Sequence, residues 1–360
     1  MAASGDTGGT AAGRARKLES LQALRAVAVL AVVLFHLLTI EERYGGSARL
    51  LPGWLGAGQL GVDLFFVISG FVMVTVTRGR FRSAVQARRF LWHRLTRIYP
   101  LYWVYTTLAL AVFLVQPAWV NSSQGNQVDV IASYLLLPQP LLPLVQVGWT
   151  LVHEVYFYLV YAVVLRFLAE RHLPAAMLGW AALVILLGTV TLGPWWNVAF
   201  SPLTLEFIAG CLLASWLHRS GPLPVPGGAL VGVAAVALLV AVAGYQWFFT
   251  QHGVPPTGWA QLVLYGIPAV VIVGCLVSAE ARGIGFPRPV VATGDASYSI
   301  YLSHLFVINA VGRLWEPLAG EGVLDNAVVL ALTMGLVLLV GAMSYRFLEL
   351  PLLRLSRRVT

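Results

Sequence analysis

Residues 21–38 read LQALRAVAVLAVVLFHLL, an apolar run interrupted only by Gln22, Arg25 and His36. A helix needs about 20 mostly apolar residues to cross the hydrocarbon core of a bilayer. With its neighbours on either side the run reaches that length, so it predicts a membrane-spanning helix over residues 20–40.

The whole chain shares this apolar character. Of its 360 residues, 59% are hydrophobic and only 11% are charged, and the mean hydropathy is +0.80. A soluble domain is about 25% charged, because charged side chains keep its surface in water. These values exclude a soluble enzyme, a disordered chain and a fibrous protein, and they predict an integral membrane protein. The two cysteines form neither a disulfide framework nor a zinc-binding spacing, and we expect no metal site.

Ten runs are long and apolar enough to be spans, which predicts an all-α bundle of about ten transmembrane helices. The runs cover residues 20–40, 60–77, 98–116, 149–168, 175–193, 202–217, 229–249, 259–279, 296–315 and 326–348. The stretch 130–147 is also apolar, but Pro138, Pro140 and Pro143 interrupt it. Because proline removes a backbone donor and breaks helices, we interpret this stretch as a re-entrant or interfacial piece.

Positive charge indicates the orientation of the spans. The formal net charge is +8, and arginines crowd segment 78–97 while segment 117–129 has no basic residue. Since basic residues mark the cytoplasmic face, this pattern predicts that both termini lie in the cytoplasm. The heavy use of Ala, Val, Leu and Gly, and of Arg over Lys, indicates a bacterial source, so we expect a bacterial plasma membrane. Residues 1–17 then form a flexible cytoplasmic arm and residues 353–360 a basic cytoplasmic tail. The membrane explains the basic balance better than nucleic acid does.

Two polar residues of the first span share one helical face. Arg25 and His36 are eleven residues apart, which at about 100° a residue is 20° past three turns. Their separation along the axis is roughly 16 Å, so Arg25 lies at the inner edge and His36 in the outer half. Ionisable groups inside a bilayer are functional candidates. Arg25 could instead be a headgroup anchor, and His36 a structural hydrogen-bonding residue between helices.

Other spans carry similar candidates. Asp63 enters the second span near its outer end, and Glu154 lies about two turns inside the fourth. Arg94 and Arg97 share a face at the inner end of the third span, where they suit either a phosphate site or lipid headgroups. Glu154 must be protonated, paired or exposed to a wet cavity, because an unpaired charge there is costly.

In the ninth span Ser297, Tyr301 and His304 follow the i, i+4, i+7 spacing of one polar stripe, which is also typical of hydrogen bonds between helices. Taken together, the polar residues segregate by depth, with arginines in the inner half and imidazole and carboxylates in the outer half. A carrier with a phosphate-bearing tail suits that layout, and coenzyme A has this shape.

In this order the residues resemble the acyltransferase-3 family of multi-span bacterial membrane acyltransferases. The resemblance covers residues 18–352, which we treat as the membrane acyltransferase domain. It rests on Leu24-Arg25 with His36, Gly61 to Phe71, Arg94 to Pro100, Trp149-Thr150-Leu151 with Glu154, Phe157 and Tyr158, Ser297 to His304, and Glu349-Leu350-Pro351. Residues 21–26 and 147–151 are most similar to the branch that acetylates exopolysaccharides. Gln22-Ala23 and Thr150 depart from the Asp-Gly and Ser that many members have.

The resemblance implies transfer of an acyl group, usually acetyl, from cytoplasmic acyl-CoA to a hydroxyl of a carbohydrate, such as an exopolysaccharide or its lipid-linked precursor. It implies that Arg25 is essential for the donor and His36 for the chemistry. We therefore expect acetyl-CoA as donor substrate, a carbohydrate or glycolipid acceptor and a lipid bilayer as partners, and no nucleic acid. A homo-oligomer is left open. Few residues follow the last span, so either the membrane domain completes the transfer or a separate protein does.

Acyl transfer needs a base for the acceptor hydroxyl and a donor for the oxyanion. We assign the base to His36, with a covalent acyl-histidine as the other route, and expect a carboxylate to orient its ring. The candidate catalytic residues are His36, Glu154 and Asp63, and the candidate donor-binding residues are Arg25, Arg94 and Arg97. Further candidate site residues, to which we assign no role, are Trp149, Ser297, Tyr301 and His304. The alternative functions are a transporter that uses the same polar residues and, third, a scaffold.

Overall fold

A computed structural model describes residues 18–45, 49–320 and 322–356. The predicted cytoplasmic arm and the end of the basic tail lie outside these residues. Within them the chain is helical, with no β-strand. The helices are α1 (Glu19–Tyr44), α2 (Leu60–Thr77), α3 (Ala84–Val115), α4 (Val130–Leu135), α5 (Trp149–Phe167), α6 (Leu173–Leu187), α7 (Pro194–Ala199), α8 (Thr204–Ser220), α9 (Gly227–His252), α10 (Gly258–Gln261), α11 (Ile267–Ala281), α12 (Arg288–Asp295), α13 (Ser297–Trp315), α14 (Val323–Ser344) and α15 (Leu350–Ser356).

In the described part of the chain, nine helical segments are long and apolar enough to cross a membrane. This confirms the prediction of an all-α membrane protein. The ninth predicted span, α13, is a helix of 19 residues but is more polar than the other nine. Its polar side chains, among them Ser299 and His304, are buried inside the bundle rather than exposed on its surface. Many large apolar side chains are exposed on the surface of the bundle, as contact with lipid requires.

The third span is longer than the sequence predicts. It begins at Ala84, where the Ser83 hydroxyl accepts a hydrogen bond from the Gln86 backbone, and it continues through Pro100 to Val115. The arginines from Arg88 onward therefore project from a helix rather than from a connecting segment. They occupy the first half of this helix and therefore lie toward one end of the bundle.

Small residues bring α2 and α8 into close contact. A Cβ added at Gly70 would lie 2.0 Å from the Phe207 carbonyl oxygen, and one at Gly210 would lie 2.1 Å from that of Val67. Since membrane helices gain little from the hydrophobic effect, such close backbone approach supplies much of their packing energy. These contacts hold α2 at a defined rotation, with one face toward α1 and α5 and the other toward α8.

No continuous helix forms over residues 130–147, as the three prolines predict. Only α4 and a 3₁₀ turn at Gln146–Gly148 are regular. Ser133 holds the irregular part in place, because its hydroxyl accepts from Leu144 N at 3.0 Å while its carbonyl accepts from Tyr102 at 2.8 Å. This segment packs over α3 and leads directly into α5.

Candidate active site

The central cavity of the bundle lies between α1, α2, α3, α5 and α13, and we call it the arginine cavity. It contains about 790 Å³ of space, part of it open to the outside. Apolar side chains of α2 form one wall, including Phe65 and Phe66. The polar residues that line it are Arg25, Ser69, Arg94, Arg97, Thr150, Glu154, Tyr158, Ser297, Tyr298 and Tyr301.

Three guanidinium groups from two helices converge in this cavity. Arg25 of α1 donates from Nε to the Ser297 hydroxyl at 3.1 Å. The Arg94 side chain lies over the Phe90 ring at 5.9 Å, and its buried Nε has no hydrogen-bond partner among the residues that the structure describes. Arg97 lines the cavity one turn further along α3. Guanidinium groups held close together repel one another, so the arrangement favours a bound anion.

Among the described residues, Glu154 is the one carboxylate that lines the arginine cavity. Its Oε1 accepts hydrogen bonds from the Tyr158 hydroxyl, one turn along α5, and from the Ser69 hydroxyl at 3.1 Å. The sequence predicted that Glu154 is protonated, paired or exposed to a wet cavity. In the structure it is hydrogen-bonded to two hydroxyl groups and lines a cavity. The neighbouring His153 points elsewhere and packs between the rings of Trp149, at 5.9 Å, and Phe66, at 6.3 Å. Trp149 is not part of the cavity lining.

A second, more open cleft adjoins the arginine cavity, and we call it the basic cleft. It contains about 1160 Å³ of space, part of it open to the outside. Arg94 lines both spaces and therefore stands at their junction. No acidic residue is among those that line the basic cleft, which are Val76, Thr77, Arg80, Gln86, Arg89, Phe90, His93, Arg94 and Leu165. From the sequence, Arg80 and Arg89 served only as markers of orientation, whereas Arg94 was already a candidate for a phosphate site.

The polar stripe of α13 contacts α1 at both of its ends. Ser297 meets Arg25 at one end, and His304 Nε2 lies 3.3 Å from His36 Nδ1 further along. The two helices therefore run parallel, and Arg25 and His36 both face α13, as the eleven-residue spacing predicts. Between these contacts, the Tyr301 hydroxyl lies 2.9 Å from the Thr150 hydroxyl and donates to the Val147 carbonyl at 3.2 Å.

Backbone carbonyls determine the tautomers of the two histidines. His304 Nδ1 lies 2.7 Å from the Tyr301 oxygen, and His36 Nδ1 lies 2.8 Å from the Val32 oxygen. A carbonyl oxygen only accepts, so each Nδ1 carries the hydrogen and each neutral ring has an unprotonated Nε2. In His304 this Nε2 faces His36. In His36, which is half-buried, Nε2 makes no hydrogen bond to any described residue and is available as a proton acceptor.

The expectation that a carboxylate orients His36 is wrong for this structure. Glu154 pairs with hydroxyls inside the arginine cavity, and Asp63 lies on another face of α2, about 120° from Ser69 at 100° a residue. There Asp63 is fully buried, accepts from Gln261 Nε2 at 3.0 Å and sits beside Glu206. The Val32 carbonyl and a second histidine occupy the place that the prediction gave to a carboxylate.

His36 and His304 do not line the arginine cavity. One layer of rings separates them from it, because Tyr301 lines the cavity and its ring lies 5.9 Å from that of His304. Phe65, 6.0 Å from Tyr301, continues this layer. The cavity thus contains the arginines, Glu154, Ser297 and Tyr301, while the imidazoles stand directly behind its wall.

Sequence reasoning missed several residues of this region. Ser69 and Tyr158 belong to the family motifs but were not among the candidate site residues, yet both donate hydrogen bonds to Glu154. Glu206 is the one acidic residue of predicted span 202–217, a signal that was present in the sequence. It lies buried beside Asp63. Within residues 18–45, 49–320 and 322–356, no group of three or more His, Cys, Asp or Glu side chains could hold a metal ion.

The fold and the site together define a polytopic membrane protein with an arginine-lined cavity and a histidine pair behind its wall. The sequence profile of the acyltransferase domain of the acyltransferase-3 family matches residues 18–346. The chain therefore belongs to this family, and it is an acyltransferase.

Relatives with known names agree with this assignment. The chain is 32% identical to the exopolysaccharide production protein ExoZ of Rhizobium meliloti, over 84% of this chain and 92% of ExoZ. It is 30% identical to the acyltransferase MdmB of Streptomyces mycarofaciens, over 84% of this chain and 82% of MdmB. It is 25% identical to the peptidoglycan O-acetyltransferase OatA of Listeria monocytogenes, over 83% of this chain but only 52% of OatA. No solved structure matches the chain.

Proposed function

We propose that the protein moves an acyl group, in the first place acetyl, from cytoplasmic acyl-CoA to a hydroxyl of a carbohydrate. One observation carries this proposal: a continuous series of guanidinium groups leads from the open basic cleft, through Arg94, into the arginine cavity. The names of ExoZ and OatA, which refer to exopolysaccharide production and to O-acetylation of a glycan, support a carbohydrate acceptor.

The donor matches the shape and charge of these two spaces. Coenzyme A carries anionic phosphates at one end and a neutral pantetheine arm with the thioester at the other. Arg80 and Arg89 at the basic cleft and Arg94 at the junction suit the phosphates, since guanidinium binds phosphate oxygens in bidentate fashion. The apolar α2 wall of the arginine cavity suits the arm. The crowding of arginines in segment 78–97 supports entry from the cytoplasm, where acyl-CoA is made.

The chemistry is assigned to His36. Its unprotonated Nε2 takes the proton of the acceptor hydroxyl as that oxygen attacks the thioester carbonyl. The new C–O bond forms, the C–S bond breaks, and the proton passes from His36 to the leaving thiolate. His304 acts as a positioning residue, because its Nε2 shares the His36 Nδ1–H with the Val32 carbonyl in a bifurcated hydrogen bond and stabilises the imidazolium that forms during the step. Acyl transfer through a covalent acyl-histidine would use the same nitrogen.

Tyr301 and Phe65 have a gating role in this proposal. They stand between the arginine cavity and the histidines, so the acyl group reaches His36 when the Tyr301 ring moves aside. Glu154 is assigned to the donor side. Fixed by Ser69 and Tyr158, it balances part of the arginine charge and holds Arg25 and Arg94 in place.

The test uses the protein purified in nanodiscs with acetyl-CoA and a panel of oligosaccharides, with release of free thiol as the readout. We expect acceptor-dependent release in the wild type and none in His36→Ala. His252→Ala is the matched control, because His252 Nδ1 also bonds the carbonyl four residues earlier, at 2.9 Å, but lies exposed at the end of α9. Release by the His36 variant would remove His36 from the mechanism. A folded wild type that releases no thiol with any acceptor would overturn the proposal of acyl-CoA as donor.

A further inference from the structure

A third space lies at the far end of α13 from Arg25, between the ends of α3 and α13. We call it the acceptor cleft. It contains about 920 Å³, part of it open to the outside, and the chain around residues 119–121 and 144–146 borders it. Its lining residues are Leu108, Ala109, Val112, Trp119, Val120, Asn121, Leu144, Val145, Gln146, Leu305, Phe306, Asn309, Ala310 and Arg313.

The lining of the acceptor cleft is divided into an apolar and a polar part. The α3 side is formed by Leu108, Ala109 and Val112, and Leu108 is 47% exposed, which places this wall at the surface of the bundle. The polar groups come from the connecting segments and from the last turns of α13. They are Trp119, Asn121, Gln146, Asn309 and Arg313. A ligand that fills this space needs an apolar part and a polar head.

Arg313 gives the polar head its charge. The guanidinium carbon lies 4.6 Å from the centre of the Trp119 ring. Toward the described residues it makes no hydrogen bond and no ion pair, and no carboxylate is among the residues that line the cleft. By contrast Arg49 donates to the carbonyls of Glu41 and Glu42. A half-buried guanidinium with unused donors beside an aromatic face is suited to an anion attached to a sugar.

The acceptor cleft adjoins the histidine pair. Leu305, which lines it, directly follows His304 in α13. The contact of Tyr301 with Thr150 and the Val147 carbonyl lies between this cleft and the arginine cavity, because Thr150 lines the cavity while Gln146 lines the cleft. Arg313 is nine residues beyond His304, or about 14 Å along the helix. The donor and the ligand of this cleft would therefore approach the histidines from opposite ends of α13.

We propose that the acceptor cleft binds the acceptor as an anionic amphiphile, a sugar joined through phosphate to a lipid chain. The chain lies against the α3 wall, the phosphate binds Arg313, and the sugar packs on Trp119 with its hydroxyls toward the histidines. This inference rests on the proposed function for the identity of the reaction, but binding at the cleft can be measured without any transfer.

The experiment compares two probes with the same sugar: farnesyl-phosphoryl glucose, which carries the phosphate, and octyl glucoside, which does not. Binding of each is measured to the full chain in nanodiscs of neutral lipid. We expect Arg313→Gln to weaken binding of the phosphorylated probe roughly tenfold or more, as loss of a charge-assisted hydrogen bond does, and to leave the neutral probe unchanged. Trp119→Ala should weaken both probes, and acetyl-CoA binding should persist in every variant.

The matched control is Arg43→Gln. Arg43 is exposed, also stacks on a ring, that of Tyr44 at 5.1 Å, and lines neither cavity nor cleft. Equal binding of the phosphorylated probe by wild type and Arg313→Gln would overturn the proposal, and so would an equal loss in Arg43→Gln. Competition by phosphatidylglycerol as strong as by the unlabelled probe would also overturn it, because it would identify a lipid-headgroup site. If the protein bound the phosphorylated probe through Arg313 but released no thiol, the acceptor cleft would be supported as a binding site and the proposed acyl-CoA-dependent transfer would fail.

Discussion

Arg94 stands at the junction of the basic cleft and the arginine cavity, and its replacement tests the donor path most directly. We expect Arg94→Gln to raise the KM for acetyl-CoA while the protein stays folded. The substitution removes the shared guanidinium and keeps a side chain with an amide donor. It leaves Arg25 and Arg97 in the cavity and Arg80 in the cleft.

The size of the effect follows from the position of Arg94. A hydrogen bond to a charged group contributes about 1.5–3 kcal/mol, which corresponds to a roughly 10- to 150-fold change in KM. The lower half of that range is expected, because the basic cleft is open to solvent and Arg80 and Arg89 are exposed. Part of the change should disappear at high salt, where exposed charges are screened.

The assay compares two donors, acetyl-CoA and S-acetylpantetheine, which lacks the phosphates of the nucleotide end. If Arg94 binds phosphate, the variant loses efficiency with acetyl-CoA and changes little with the truncated donor. Arg88→Gln is the control, since Arg88 is exposed on the same helix and lines neither space. An equal loss with both donors would refute the reasoning, because it would show that Arg94 acts on the acyl end or on the fold.

Three further changes address the packing, the buried acids and the histidine pair. Gly210→Ala places a Cβ 2.1 Å from a facing carbonyl of α2, so we expect overpacking to lower the free energy of unfolding by about 1–3 kcal/mol and the melting temperature with it. Gly232→Ala has open space around the new Cβ and should melt like the wild type. Glu206→Gln should preserve folding and transfer, because it removes the repulsion between two adjacent buried carboxyl groups and the new amide can donate to Asp63. A loss of turnover in the thiol assay at unchanged protein level would contradict this and place Asp63 and Glu206 in the reaction. His304→Ala should lower kcat roughly 2- to 10-fold at constant donor KM. The effect is this small because the Val32 carbonyl still sets the His36 tautomer. A changed KM with constant kcat would contradict the positioning role of His304.

The sequence by itself determined the class of protein and the helices. Apolar run length and composition are local properties, so they located the spans and excluded a soluble fold. Helical periodicity is local as well. It correctly put Arg25 and His36 on one face of α1, and it put Ser297, Tyr301 and His304 on one face of α13. The prolines at 138, 140 and 143 likewise predicted the break before α5. The resemblance to the acyltransferase-3 family was carried by short motifs in order, and the match over residues 18–346 bears it out.

Only the tertiary structure decided which polar groups meet. Asp63 turned away from His36 because Gly70 and Gly210 lock the rotation of α2 against α8, and this contact joins residues far apart in the chain. Three other features depend in the same way on how whole helices pack. They are the contact of His304 with His36, the position of Arg94 between two spaces, and the Arg313 guanidinium, which has no hydrogen-bond partner among the described residues. A helical repeat specifies a direction around one axis, but the partner in that direction is set by the positions and rotations of all the neighbouring helices together.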